Sequence, residues 1–253
     1  MGIVSGECIY AGTAKGRIHY LQSARALEAD SDSAGSAEQM RGPMPEFPDT
    51  EMEKFESARR AVLQLEKEYA RKAEQEISGE AAKIFDSHAM MLEDPELIGA
   101  VREQIYSELH SAAFAVRTVC DSWISIFSAL PDPYLAERAA DMEEITNELL
   151  RQLIGGRHIK NSDFTEAYGP GERWIIAAPR IYPGDLIGLS RQEITGMVLG
   201  NVGRTSHSAI LLREMKIPSL THVNEISESW DTMQAELSIA EGGEGWILLN
   251  EID

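Results

Sequence analysis

Cysteine is nearly absent from this chain: two thiols, Cys8 and Cys120, stand far apart among 253 residues. There is no CxxC pair and no Cys/His ligand spacing, which argues against a zinc site and a disulfide scaffold. Two scattered thiols suit a reducing compartment. Long apolar runs are lacking too; none approaches the ~18 residues that a membrane-spanning helix needs. MGIVSGECIY has no basic segment leading into an apolar core, so no signal peptide is expected. Gly6 stands where a myristoylation signal requires Ser or Thr. The expectation is a soluble, cytoplasmic protein. Basic residues are scarce: 23 Lys and Arg face 42 Asp and Glu, a net charge of −19. Such a field repels nucleic acid and anionic lipid and favours a basic protein partner. The same acidity also serves solubility alone.

What is present is globular in character, with 43% hydrophobic and 26% charged residues. The length suits one large domain or two ordinary ones, and a core of that size folds without disulfides.

The chain changes period twice. The first 20 residues alternate short apolar runs with Gly6, Gly12 and Gly16 and read as two short strands. Residues 22–50 lose periodicity and contain Pro43, Pro45 and Pro48, the mark of a linker or loop. From Asp49 the pattern is helical. Thr50 with Glu53 forms a capping-box signature, and Phe55, Ala58, Val62, Leu65 and Tyr69 follow on one stripe. A second helix opens at Ser78, with a kink or fresh start at Pro95. A third runs from Ser111 to about Ser128, and a fourth from about Tyr134 to Ile154, stopped by Gly155-Gly156. Four amphipathic helices with short connections predict an antiparallel bundle. Beyond Gly156 the period returns to strands: WIIAA (174–178), ITGMVLG (194–200) and IPSLTHV (217–223), with helical stretches near 184–192 and 207–216 and a closing hairpin at Gly242-Gly243. The reading is an α/β unit, residues 1–48 and 155–253, interrupted by an all-α insertion at 49–154. Residues 49–147 hold 21 acidic and 10 basic residues, net −11, leaving −8 for the other 154. The helical insertion is therefore the more acidic part, as a solvated helix face or a docking surface would be.

The segment VLGNVGRTSHSAILLREMKIP carries the clearest chemistry. A strand ends at Gly200 and a helix begins near His207, joined by Asn201, Val202, Gly203, Arg204, Thr205 and Ser206. A helix N-terminus offers free amide N–H groups and a favourable dipole to phosphate. Gly203 is expected to let backbone approach closely, Arg204 adds a planar cation, and Thr205, Ser206 and Ser208 add hydroxyls. His207 is the only good nucleophile there, and a neutral imidazole can attack phosphorus and hold the phosphoryl group. A lone histidine at a helix start is equally read as structural or simply exposed.

GRTSHSAILLREMKIPSL resembles the active-site segment of enzyme I of the bacterial phosphoenolpyruvate-dependent phosphotransferase system, whose GGRTSH-type motif places its histidine at His207. Three further stretches agree in order: SG followed by AGTAKG at the start, IFDSHAMMLEDPEL (84–97) and YLAERAADMEEI (134–145). The resemblance implies an α/β phosphohistidine domain of the swivelling type with an inserted all-α four-helix domain. It implies that the histidine takes phosphate from phosphoenolpyruvate and passes it to the phosphocarrier HPr. It makes His88, Met91, Leu92, Arg138 and Asp141 docking candidates for HPr. Met91 and Leu92 equally suit a bundle core, and Arg138 with Asp141 an i,i+3 helix pair.

Three features depart from the family pattern. Val202 replaces a motif glycine, Tyr182 aligns with a threonine that bonds the active histidine, and residues 22–50 are long and irregular. A divergent paralogue is expected. The family also continues into a barrel that binds phosphoenolpyruvate and magnesium, and nothing here resembles it. The expectation is a cut piece of a longer protein rather than a natural single module. It needs no cofactor of its own, requires Mg²⁺ only with that missing domain, and exchanges phosphate with a carrier but not with phosphoenolpyruvate alone. The alternatives are the enzyme I-like module of the multiphosphoryl protein that feeds dihydroxyacetone kinase, and a non-catalytic adaptor that binds a carrier.

Overall fold

The structure, a computed structural model, describes residues 2–21, 47–154, 173–189 and 194–250. Residues 22–46 of the expected linker, the Gly155-Gly156 helix stop and residues 190–192 lie outside the described residues; the linker's last residues, 48–50, are corrected to helix, because Pro48 takes a first helical position. Backbone contacts divide the chain into two compact units, Met1–Ser23 with His158–Asp253, and Ala24–Arg157.

Among the described residues, the first unit is built on seven strands closed into a barrel, in the order β1-β5-β4-β3-β2-β6-β7. The strands are β1 Gly2–Tyr10, β2 Gly12–Tyr20, β3 Trp174–Ala178, β4 Ile194–Leu199, β5 Ser219–Thr221, β6 Gln234–Ile239 and β7 Glu244–Asn250. Strands β2, β3, β4 and β5 run parallel, while β1, β6 and β7 pair antiparallel with their neighbours. Every residue of β3 is buried, as its unbroken apolar run requires of a strand covered on both faces. Ile18, Ile175, Val198, Leu220, Leu237 and Ile247 fill the core. Removing each large apolar side chain from water contributes roughly 1.5–3 kcal/mol. Gly6 on β1 allows β5 to lie close, since a Cβ there would stand 2.7 Å from the carbonyl oxygen of Thr221.

The described residues of the second unit form helices α1 Pro48–Glu76, α2 Gly79–Leu92, α3 Pro95–Tyr106, α4 Ala112–Ala129 and α5 Pro133–Ile154. Among the described residues the expected count of four is corrected to five. Asp94 accepts from the Glu96 amide at 2.9 Å and Pro95 takes the first helical position, so the chain starts a new helix there instead of kinking. Ser78 and Ser111 cap α2 and α4 as expected, accepting from the amides of Ala81 and Phe114. The Thr50 cap is also corrected. Helix α1 begins earlier, with Phe47 extended at the N-cap and Pro48 first in the helix, which leaves Thr50 inside the first turn. Glu51 links two helices, its carboxylate accepting from the Ala112 amide at 2.8 Å and from Lys54 at 2.6 Å. Phe55, Val62, Leu92, Leu97, Val101, Val116, Ile145 and Leu149 form one core drawn from all five helices.

In the barrel unit, α6 Pro183–Gly188 follows β3 and α7 His207–Glu214 follows β4. Both helices therefore begin at the carboxyl ends of parallel strands and pack together there.

Candidate functional site

His207 is the first residue of α7 and is half-buried. Ser206 precedes it in extended conformation and caps the helix, its Oγ accepting from the Ala209 amide at 3.3 Å. The first-turn amides of such a helix have no intrahelical acceptor and favour an anion at its start. Gly203, Arg204 and Thr205 are exposed and Ser206 is half-buried, so the loop faces outward beside the imidazole.

The stem of that loop is held from both neighbouring strands. On the β3 side, the amides of Gly200 and Asn201 donate to Ala178 at 3.0 Å and to Pro179 at 2.9 Å. Gly200 is required, because a Cβ would stand 2.7 Å from the Pro179 oxygen. On the β5 side, the buried Thr221 hydroxyl accepts from the Val202 amide at 3.2 Å and donates to the Val202 carbonyl at 2.7 Å. From the helix, Ser208 Oγ donates to the Ile181 carbonyl at 2.8 Å. The Arg213 guanidinium donates to the carbonyls of Arg204 and Ile9.

Within the protein, a Cβ at Gly203 would meet only Ser206 Cβ at 3.9 Å, and its φ is not in the left-handed region. Val202, at the position of a motif glycine, is buried and both of its backbone polar groups are bonded. Tyr182 is buried at the N-cap of α6, and its amide donates to Asp185 Oδ2 at 3.3 Å. Ser208 anchors the start of α7 to Ile181, the residue before Tyr182 in sequence.

The docking candidates lie in the helical unit. His88 is fully buried. Its Nδ1 stands 3.2 Å from Glu66 of α1, and its Nε2 stands 3.4 Å from Asp141 and 3.9 Å from Glu144 of α5. Burial by itself lowers the pKa of this imidazole. The carboxylates of Glu144, Asp141 and Glu66 more than reverse that and hold it well above 6.5. Asp141 and Leu92 are buried as well. As surface contacts, His88, Leu92 and Asp141 are therefore corrected: the first and last compensate one another's charge, and Leu92 fills the helical core. Arg138 and Met91 are half-buried, and Arg138 donates to Ser87 Oγ at 2.7 Å, tying α5 to α2. Exposed apolar side chains among the described residues of this unit include Met90 at 73%, Phe47 at 67%, Ile154 at 62% and Ile126 at 56%. Sequence reasoning missed Met90, Ile126, Thr221 and Arg213. Only the Met-Met pair gave a local signal, since alternate sides of a helix divide neighbouring residues between core and solvent.

The model of the PEP-utilising enzyme N-terminal family matches residues 5–138, and that of the PEP-utilising enzyme mobile domain matches residues 170–245. The phosphoenolpyruvate-protein phosphotransferase of Staphylococcus carnosus is 32% identical over 206 residues, covering 81% of this chain and 34% of that protein. Its counterpart in Listeria monocytogenes is 31% identical, covering 80% of this chain and 34% of that protein. The chain thus spans about a third of the length of these relatives. A solution structure of an Enzyme I protein superimposes with a TM-score of 0.69 at 24% identity, covering 99% of this chain and 94% of that one. The N-terminal domain of the nitrogen Enzyme 1 does so at 0.55 and 22% identity, covering 97% and 93%. With both family models matched in order, and with the GRTSH loop at the start of α7, the chain belongs to the PEP-utilising enzyme family.

Proposed function

We propose that this chain is the phosphohistidine module of a phosphoenolpyruvate-protein phosphotransferase and that His207 carries the phosphoryl group. The observation that carries the reading is the position of His207. It is a half-buried imidazole at the first position of α7, beside exposed Arg204 and Thr205 on a loop whose stem is bonded to two strands. In this reading residues 1–48 and 155–253 form the swivelling phosphohistidine part, and 49–154 form the insertion that binds HPr. Phosphoenolpyruvate is the ultimate donor, through a separate barrel.

The chemistry is in-line displacement. A lone pair on an imidazole nitrogen of His207 attacks phosphorus, a new N–P bond forms, and the N–P bond to the carrier's histidine breaks; the proton on the other ring nitrogen of His207 is released and one proton is taken up by the carrier imidazole, so that it leaves neutral. The amides at the helix start and the Arg204 guanidinium stabilise charge on the equatorial oxygens, and such transfer depends chiefly on positioning and electrostatics. Thr205 and Ser206 add hydrogen bonds to those oxygens. Tyr182 orients the unphosphorylated imidazole through its hydroxyl, in place of the family's threonine. Docking uses Met91 and Arg138, joined by exposed Met90, while the acidity of residues 49–147 attracts a basic carrier.

The test is incubation with HPr bearing radiolabelled phosphohistidine. The wild-type chain is expected to acquire acid-labile label, and folded His207→Ala to acquire none. Undiminished labelling of that variant overturns the assignment. Binding of HPr without any label in the wild-type chain supports the adaptor instead.

A further inference from the structure

The Val202–Thr221 contact is unusual in that one buried hydroxyl serves both backbone groups of one residue. Thr221 Oγ1 accepts from the Val202 N–H at 3.2 Å and donates to the Val202 carbonyl at 2.7 Å. A threonine hydroxyl has one proton to donate and lone pairs to accept, so the arrangement is self-consistent. Thr221 is fully buried and Val202 is nearly so. Water therefore has no ready access to replace either bond, and losing the hydroxyl leaves a buried donor and a buried acceptor unpaired.

The clamp lies where the path of the active loop is set. Val202 immediately precedes the exposed Gly203-Arg204-Thr205 turn, and Gly203 itself has conformational and steric freedom. The first firm anchor upstream of that turn therefore determines where the turn and His207 point. Thr221 ends β5, which pairs with β4 and β1, so the clamp is mounted on the interior of the sheet. Downstream, Ser206 N–H donates to the Gly203 carbonyl at 3.1 Å, and Arg213 holds the carbonyl of Arg204. With Thr221 in place, the turn is held at both ends.

We infer that Thr221 is a positioning residue for phosphoryl transfer: its hydroxyl fixes Val202 and thereby sets the His207 loop. The inference rests on the phosphohistidine reading above for its functional part, and on the two hydrogen bonds for its structural part. Thr221 touches no reacting atom and acts through Val202.

The experiment compares Thr221→Val, which keeps the shape and removes the hydroxyl, with Thr221→Ser, which keeps the hydroxyl. Two quantities are read in the full chain: hydrogen exchange at the Val202 amide, and the rate of phosphoryl transfer from phosphorylated HPr. Thr221→Val is expected to raise Val202 exchange at least tenfold, with little change at the amides of β3 and β4. Transfer at saturating carrier is expected to fall roughly fivefold to tenfold as the two bonds that hold Val202 are lost, with half-saturation unchanged. Thr221→Ser is expected to restore both to within about twofold. Wild-type exchange at Val202 in Thr221→Val, or equal damage in Thr221→Ser, overturns the inference, as does faster exchange with an unaltered transfer rate. If Thr221→Val does not fold, Thr221→Ser against Thr221→Ala reads the same hydroxyl with one oxygen changed. If the wild-type chain takes no label, the phosphohistidine reading fails by itself, and a Thr221 role in transfer fails with it. Val202 exchange then still decides whether the clamp exists.

Discussion

The hydroxyl of Ser208, the second residue of α7, donates to the backbone carbonyl of Ile181 at 2.8 Å. Ile181 lies between β3 and α6, so this one bond fixes the start of the His207 helix to the segment that also carries Tyr182. Ser208 is buried, and Ser208→Ala leaves the Ile181 carbonyl short of a partner. The expected cost is about 1–3 kcal/mol of stability. A lower urea midpoint with an unchanged slope is the expected observation, and an unchanged midpoint contradicts it.

Tyr182 is expected to act through its hydroxyl alone. Tyr182→Phe keeps the ring that is buried at the N-cap of α6. One neutral hydrogen bond corresponds to about 1 kcal/mol, so transfer is expected to slow roughly fivefold to tenfold with little loss of stability. Rapid-quench measurement of label transfer checks this. A wild-type rate removes Tyr182 from the site.

His88 makes the stability of the helical unit depend on pH. Burial opposes the charged imidazole, but Glu144, Asp141 and Glu66 outweigh it and raise the folded pKa well above 6.5. Above about pH 6.5 the folded protein thus holds a proton that the unfolded chain has released. The contribution is fully present below the unfolded value and is lost as pH rises through the folded one. Chemical unfolding at stepped pH is expected to show stability falling on the alkaline side. His88→Gln is expected to be less stable near neutrality, because three carboxylates lose their cation, and to lack this component of the alkaline decline. The same alkaline slope in the variant sinks the assignment.

Docking of HPr is expected to show two separable components. Steering by the −11 of residues 49–147 acts on association and is screened beyond about 10 Å at 0.1 M salt. The association rate is therefore expected to fall between 50 mM and 500 mM salt, where the screening length changes about threefold, while dissociation changes little. Met90, 73% exposed, is expected to supply apolar contact. Met90→Asp is expected to weaken binding roughly tenfold at constant stability, since a surface substitution usually shifts stability by only ~0.5 kcal/mol. Stopped-flow and calorimetry read the two components. Salt-independent association, or full affinity in Met90→Asp, contradicts the proposed surface.

The sequence by itself determined the local grammar. Ser78 and Ser111 mark helix starts because their side chains satisfy amides three residues on. WIIAA is a buried strand because five apolar residues in succession leave no polar face. His207 heads a helix because Ser206 caps it. Only the tertiary structure decided the rest. Whether Pro95 kinks a helix or starts one was settled by the Asp94 cap and the packing of Leu97, Val101 and Ile105 into the core. Met90 faces solvent while Leu92 is core, a division that apolarity cannot make and helix rotation does. His88 reads as a surface contact until Glu66, 22 residues away, and the carboxylates of α5 close around it. Val202 reads only as a departure from the motif glycine, while the structure shows Thr221, 19 residues on, bonding both of its backbone groups. Each of these depends on residues brought together by packing, and no period or spacing along a single chain encodes which side chains meet.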